Sequence, residues 1–159
     1  MINLEFMLST VVNGLEAELK TRHAGCKVVM ANQNAPIPDY PYVSFIITSI
    51  TENSGTWGHE DDGSHTKPVR QTWSFTTQAE TQMESYVLAS TIKDWFELRG
   101  IVYLSDNGIA VERVRDVTSR DNLITTDYEY RYGLDVVLSI MDTAEVESEY
   151  IEIADIKEV

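Results

Sequence analysis

One cysteine, four prolines and only 12 lysines and arginines stand in this chain of 159 residues. Each shortage excludes something. A lone Cys26 cannot close an internal disulfide, so a secreted, cysteine-stapled scaffold is ruled out. It reads as a small apolar filler at the start of a strand, with a reactive thiol as the alternative. Against the 12 basic residues stand 26 acidic ones, for a net charge of −14. Nucleic-acid binding that works by neutralising phosphates needs clustered Lys and Arg, so this balance disfavours it, and it disfavours anionic membrane surfaces for the same reason. No run approaches the eighteen or so apolar residues of a membrane-spanning helix. The opening MINLEFMLSTVVNGLEAELK places Glu5 and Glu16 where a signal peptide carries basic residues and then an unbroken apolar stretch. A soluble, intracellularly made protein is the expectation.

Catalytic signatures are missing as well. There is no Gly-x-Ser-x-Gly elbow, no phosphate-cradling Gly-x-x-x-x-Gly-Lys, no dinucleotide fingerprint and no Cys-x-x-Cys. No cofactor is expected. What the chain does have is 43% hydrophobic residues and enough length to bury roughly 68–70% of its unfolded surface, sufficient for one core without staples.

The spacing predicts the elements. Leu4, Leu8, Val11, Val12, Leu15 and Leu19 recur at steps of three and four, which makes an amphipathic helix ending near Gly25. A short apolar run, Val28 to Met30, precedes the turn APIPDYPYV, where Pro36, Pro38 and Pro41 forbid helix. The β-branched and aromatic YVSFIITSI from Tyr42 is a strand. Residues 53–68, NSGTWGHEDDGSHTKP, read as a long exposed hairpin loop. Beyond it Val69, Gln71, Trp73, Phe75 and Thr77 alternate with polar residues, giving a second strand antiparallel to the first. From Thr81 to Arg99 helical spacing returns: Val87, Leu88, Ile92, Trp95 and Phe96 share a face, Thr81 and Glu84 have capping-box spacing, and Gly100 stands at the C-cap.

IVYL and IAVERVRDV then read as two short strands around a hairpin turn at Asp106, Asn107 and Gly108. A long strand closes the body, with Tyr128, Tyr130, Tyr132, Leu134, Val136, Leu138 and Ile140 on one side and Glu129, Arg131, Gly133 and Asp135 on the other. Strands that come in hairpins and two striped helices imply an α+β fold, an antiparallel or mixed β-sheet with both helices on one face. The body is expected to span residues 1–142. Residues 143–159 form an acidic C-terminal arm, in which Glu147, Glu149, Tyr150, Ile151, Glu152 and Ile153 suit an edge strand or partner-binding segment.

Candidate site residues concentrate in the hairpin loop and the arm. His59, Glu60, Asp61, Asp62 and His65 resemble a ligand set, but they lie in a Gly-rich loop without a rigid scaffold, so no metal site is assigned and a solvated loop is preferred. Trp57 is either tucked back on the sheet or offered to a partner. Trp57, His59, Glu60, Asp61, Asp62, Glu147, Glu149, Tyr150 and Ile151 are therefore the candidate interface. Tyr128, Tyr130 and Tyr132 read as helix-covered core or subunit contact rather than a base-stacking platform. Arg113, Arg115 and Arg120, interleaved with Glu112, Asp116 and Asp121, look like a salt-bridged strand face.

The leading helix, the Pro38–Phe45 element Pro-Asp-Tyr-Pro-Tyr-Val-Ser-Phe running into a long strand, the long hairpin, the helix with Trp95 and Phe96 and the closing Tyr-rich strand together resemble the tail terminator or neck proteins of tailed bacteriophages, over roughly residues 1–142. That resemblance implies a structural, non-enzymatic virion protein made in the host cytoplasm. It implies a homo-oligomeric ring, expected as a hexamer, that caps the tail tube and meets the tail tube protein and the head-side connector. DNA would pass the acidic lumen without specific binding and without a membrane partner. A head-closure or tail-completion protein of the same junction is the nearest alternative. From other classes come a small metal-dependent hydrolase using His59, Asp61, Asp62 and His65, and a monomeric module gripping a basic partner with Trp57 and the arm.

Overall fold

The computed structural model describes residues 1–124 and 127–146, and at 122–124, 127 and 128 the backbone path alone. Helix α1 (Leu4–Lys20) begins where the Asn3 side chain accepts the Phe6 amide, which satisfies one of the donors a helix N-terminus leaves open. Met7, Val11, Leu15 and Leu19 form its buried stripe. Cys26 is buried just before β1 (Lys27–Met30). After a connection containing a cis Tyr40–Pro41 bond, β2 (Tyr42–Asn53) runs parallel to β1. It is followed by the two-residue β3 (Gly58–His59) and the 16-residue β4 (Ser64–Ala79).

β4 is antiparallel to β2, and its alternate residues Val69, Gln71, Trp73, Phe75 and Thr77 are buried as the period-2 pattern requires. Phe45, Trp73, Phe75 and Phe96 make a chain of ring contacts with centroids 5.3 to 6.1 Å apart through this core. Thr81 caps α2 (Gln82–Asp94) by accepting the Glu84 amide at 3.2 Å. The remaining strands are β5 (Ala110–Val114), β6 (Thr118–Ser119), β7 (Asn122–Ile124) and the 19-residue β8 (Asp127–Glu145). The sheet order is β1-β2-β4-β8-β5, with β3 on β4 and β6 and β7 on β8. The fold is α+β: a mixed sheet, not closed, with the helices on one face. That face carries the core.

Three local expectations fail, each for a physical reason. Residues 101–106 are not a strand but a helix, α3 (Ile101–Asp106). Gly100 is not a terminal cap: its φ is −88°, and its amide bonds the Trp95 carbonyl at 2.7 Å, closing a π-helical turn over Trp95–Arg99 that leads straight into α3. A Cβ on Gly100 would stand 2.5 Å from the Trp95 ring, so the missing side chain makes room for the indole. The third failure concerns Gly108, at φ +73°, which ends α3 rather than turning a hairpin. Its amide bonds Ser105 O and the Ile109 amide bonds Leu104 O, both at 2.9 Å, with Leu104 and Ile109 buried together. That is the paired-bond left-handed helix stop, and it uses the same positive φ a hairpin turn would have used.

The 53–68 loop is also shorter than expected. β8 is long enough to pair with β4 as far as Ser64 opposite Glu145, so the polar run Ser64–Pro68 becomes strand. Beyond Val69, the last core residue at this end of β4, these five residues continue for about 17 Å at strand rise. The result is an arm of paired strands running past the core, met on its β8 side by the Met1 ammonium, which donates to Thr143 O at 2.6 Å and pairs with Asp142 at 3.0 Å.

Candidate assembly surfaces

The arm tip is held by bonds among its own residues. Gly63, at φ +86°, turns the chain, with its amide on Glu60 O and the Glu60 amide on Ser64 O. Asp62 Oδ1 accepts both the Ser64 hydroxyl (2.6 Å) and the Ser64 amide (2.9 Å). These bonds hold the Asp62 carboxyl below the usual carboxylate range. The Glu60 carboxylate accepts from the Thr66 hydroxyl at 2.7 Å. His59 and His65 face one another across the β3–β4 pair with ring centroids 4.9 Å apart. Trp57 is 45% exposed, with the Lys67 ammonium 4.6 Å from its ring centroid. The Trp57 alternative thus resolves toward an exposed ring rather than core.

Asp61 is exposed at the same tip. Among the described residues no group of three or more His, Cys, Asp or Glu is placed to hold a metal ion. Glu147, Glu149, Tyr150 and Ile151 lie outside the described residues.

The face of the sheet away from the helices is polar and arginine-rich. Arg120 reaches across two strands: its Nη1 donates to Ser74 Oγ (2.8 Å) and Thr76 Oγ1 (3.0 Å), and its Nη2 to Asp135 Oδ1 (3.0 Å). Burial pushes the Asp135 carboxyl up, but hydrogen bonds from Ser74 and Arg120 and the charges of Arg120 and Arg115 outweigh it and hold the group below its ordinary value. Arg131 pairs with Glu129, and Arg70 with Glu112. Glu129 is only 7% exposed. The alternating pattern of β8 puts Glu129 and Arg131 on this face correctly, but says nothing of their burial. A deep carboxylate beside an arginine two residues on is the signal that was available.

The expected pairing of Arg113, Arg115 and Arg120 with the interleaved acids does not form: Glu112 pairs with Arg70, Asp116 with Lys93, Asp121 accepts the Arg131 amide, and Arg120 pairs with Asp135 from the neighbouring strand. Arg113 and Arg115 are exposed, and among the described residues neither side chain makes an ion pair or hydrogen bond. A β-bulge between Val111 and Arg113 carries Arg113 to the level of Val137 on this polar face. Tyr132 is partly buried against the core, edge-on to Tyr86 at 5.7 Å, and its hydroxyl accepts from Gln82 at 2.9 Å. That agrees with a helix-covered tyrosine.

The sheet is thus open, bounded by β1 on one side and β5, β6 and β7 on the other, with its core under one face and an arm projecting past it. The chain belongs to the phage neck terminator protein family, whose model matches residues 4–159. A comparison with curated proteins gives no match. Among the described residues no helix is long and apolar enough to cross a membrane.

Proposed function

We propose that this chain is the tail-terminating ring subunit of a phage neck, acting by self-assembly and docking rather than by chemistry. A hexameric ring of it caps the finished tail tube and offers the opposite rim to the head-side connector. The observation that carries this reading is the family match across residues 4–159. The arm supports it: Trp57 stands exposed at a tip whose turn is held by the Asp62–Ser64 and Glu60–Thr66 bonds, which suits a contact element. The charge of −14 supports a conduit role, because an acidic wall repels phosphates and lets DNA slide.

The test is the mass of the native assembly, by sedimentation and native mass spectrometry, together with electron microscopy of isolated tail tubes incubated with the protein. A single ring species of about six copies, seated at one end of the tube, is the expected result. A chain that remains monomeric at high concentration overturns the reading.

A further inference from the structure

Five of the seven arginines, Arg70, Arg113, Arg115, Arg120 and Arg131, gather on the helix-free face of a chain whose net charge is −14. Three of them are consumed by local acids, Arg70 by Glu112, Arg120 by Asp135 and Arg131 by Glu129. Arg113 and Arg115 make no ion pair among the described residues, although the Arg115 charge acts on Asp135, and they border a groove of about 300 Å³ that Glu52, Arg70, Thr72, Glu112 and Val137 also line. Arg113 stands on β5, and Arg115 directly follows its end; β5 is the last strand in the sheet order, and its outer side has no strand partner among the described residues. The groove therefore offers two guanidinium groups without an ion pair, the Val137 side chain and a free strand edge, and its three arginines outweigh Glu52 and Glu112 by one positive charge. Its complement is an extended segment that is acidic and aliphatic.

The chain contains such a segment. Residues 147–159 carry Glu147, Glu149, Glu152, Asp155 and Glu158 against one Lys157, interleaved with Tyr150, Ile151 and Ile153. Its point of departure decides whose groove it reaches. β8 ends at Glu145, opposite Ser64 in the projecting arm, whereas the groove lies at the level of Val137. Returning from Val146 to that level takes about nine extended residues, roughly 30 Å. In its own subunit the segment would spend Glu147, Glu149, Tyr150, Ile151 and Glu152 on the return path and leave only its last few residues for the groove. A neighbour's groove, approached from the arm tip, has the whole segment available.

We propose that the acidic segment 147–159 of one copy docks on the Arg113–Arg115 groove of a second copy. The inference rests on the reading of the chain as a self-assembling subunit and deepens it by naming one contact. The contact is heterologous: each copy gives a segment and receives one, which closes into a ring when the rotation allows. Ion pairs of this kind guide encounter and register and weaken with salt.

Three full-length variants test it. The first replaces Arg113→Glu and Arg115→Glu. The second neutralises the segment with Glu147→Gln, Glu149→Gln, Glu152→Gln, Asp155→Asn and Glu158→Gln. The third combines Arg113→Glu and Arg115→Glu with lysine at those five acidic positions. Masses are read by sedimentation at low and high salt, with circular dichroism to verify folding; Arg113→Gln with Arg115→Gln replaces the first variant if the reversal does not fold.

The expected result is that the first two variants are each monomeric alone, that mixing them gives a 1:1 dimer, and that the third regains assembly. Loss of assembly in the second variant is informative because removing five negative charges takes the chain from −14 to −9, which by itself favours association. An oligomeric wild type with unchanged masses for the first two variants overturns the docking alone. Monomers that fail to pair on mixing place the segment on its own subunit and also overturn it. A monomeric wild type overturns both the docking and the ring.

Discussion

Arg120 lies flat over Gly133: a Cβ on that glycine would stand 2.6 Å from the Arg120 Nε and 2.6 Å from the Phe75 carbonyl oxygen. The side chain that ties β4 to β8 across the polar face can do so only because β8 carries no side chain there. Gly133→Ala should therefore cost about 1–3 kcal/mol, as overpacking does. Thermal unfolding checks this, at about 2–4 °C per kcal/mol for a chain of this size. Arg120→Ala in the same background should restore only part of the loss, because the backbone carbonyl remains. Full restoration would show that the guanidinium alone sets the limit.

The helix stop at Gly108 gives a cleaner conformational test, because nothing lies within 4 Å of the position a Cβ would take. Gly108→Ala should cost about 1–2 kcal/mol, the strain of holding an L-residue at positive φ. Gly108→Asn should cost less, since asparagine tolerates that region. Urea unfolding of the pair checks the order, and equal stability of the glycine and alanine forms would contradict it.

Asp135 makes stability depend on pH at the acid end. Its carboxyl is held below the ordinary value, so the stabilisation is fully present above the unfolded-state pKa of about 3.9 and is lost as the pH falls through the lower folded value. The stability difference between the native sequence and Asp135→Asn should be flat from about pH 7 to pH 5 and should shrink below about pH 4. Urea titrations at each pH measure it. A difference that grew on acidification would reverse the sign of the argument.

Cys26 responds in the opposite direction. Burial, with the Glu16 and Glu84 charges adding, pushes its thiol up to about 11. The neutral thiol is favoured in the fold, so its stabilisation is present below the unfolded value of about 8.5 and fades as the pH rises toward the folded one. At neutral pH a disulfide reagent should label native Cys26 only slowly and label the unfolded chain at once. Rapid labelling of the folded protein would contradict the burial.

Trp57 separates folding from assembly. Half exposed and held by Lys67 rather than by core, it should tolerate Trp57→Ala with a stability change within about 0.5 kcal/mol. If the arm tip is a subunit contact, the same variant weakens assembly by a factor on the order of ten or more, as loss of an aromatic anchor does. Replacing residues 54–63 by a short turn extends the test. Removing 53–68 does not, because Ser64–Pro68 pair with β8.

Much of the fold is written in local pattern. Leu15 and Leu19 on α1, Trp73 and Phe75 on β4, and Leu134, Val136 and Leu138 on β8 recur at the period of the element that buries them, and each is buried. Thr81 with Glu84 is likewise a local signal, whereas the strand Ser64–Pro68 of the arm is not, since it forms against the distant β8. The open face was harder to read. Alternation assigns Arg131, Gly133 and Asp135 to it, but the contact of Arg120 with Ser74, Thr76 and Asp135 joins three segments distant in the chain. The parallel pairing of β1 with β2 is also invisible to a pattern that ends at each strand.

The sequence by itself determined that this chain has one apolar core, strands in hairpins, helices striped on one side, and a surplus of acid that favours neither membrane nor phosphate. Those are properties of spacing and composition, and they hold whatever the distant neighbours are. Tertiary structure decided the rest wherever two conformations serve a local pattern equally. IVYL is as apolar as a short strand. It became α3 because Gly100 admits the Trp95 ring and Gly14 lies beneath Tyr103, whose hydroxyl bonds Thr10 O at 3.0 Å. Gly108 supplies a positive φ to a hairpin or to a helix end with equal ease, and the buried contact of Leu104 with Ile109 selects the helix end. Such choices depend on atoms brought together from across the chain, and no window of the sequence contains both partners.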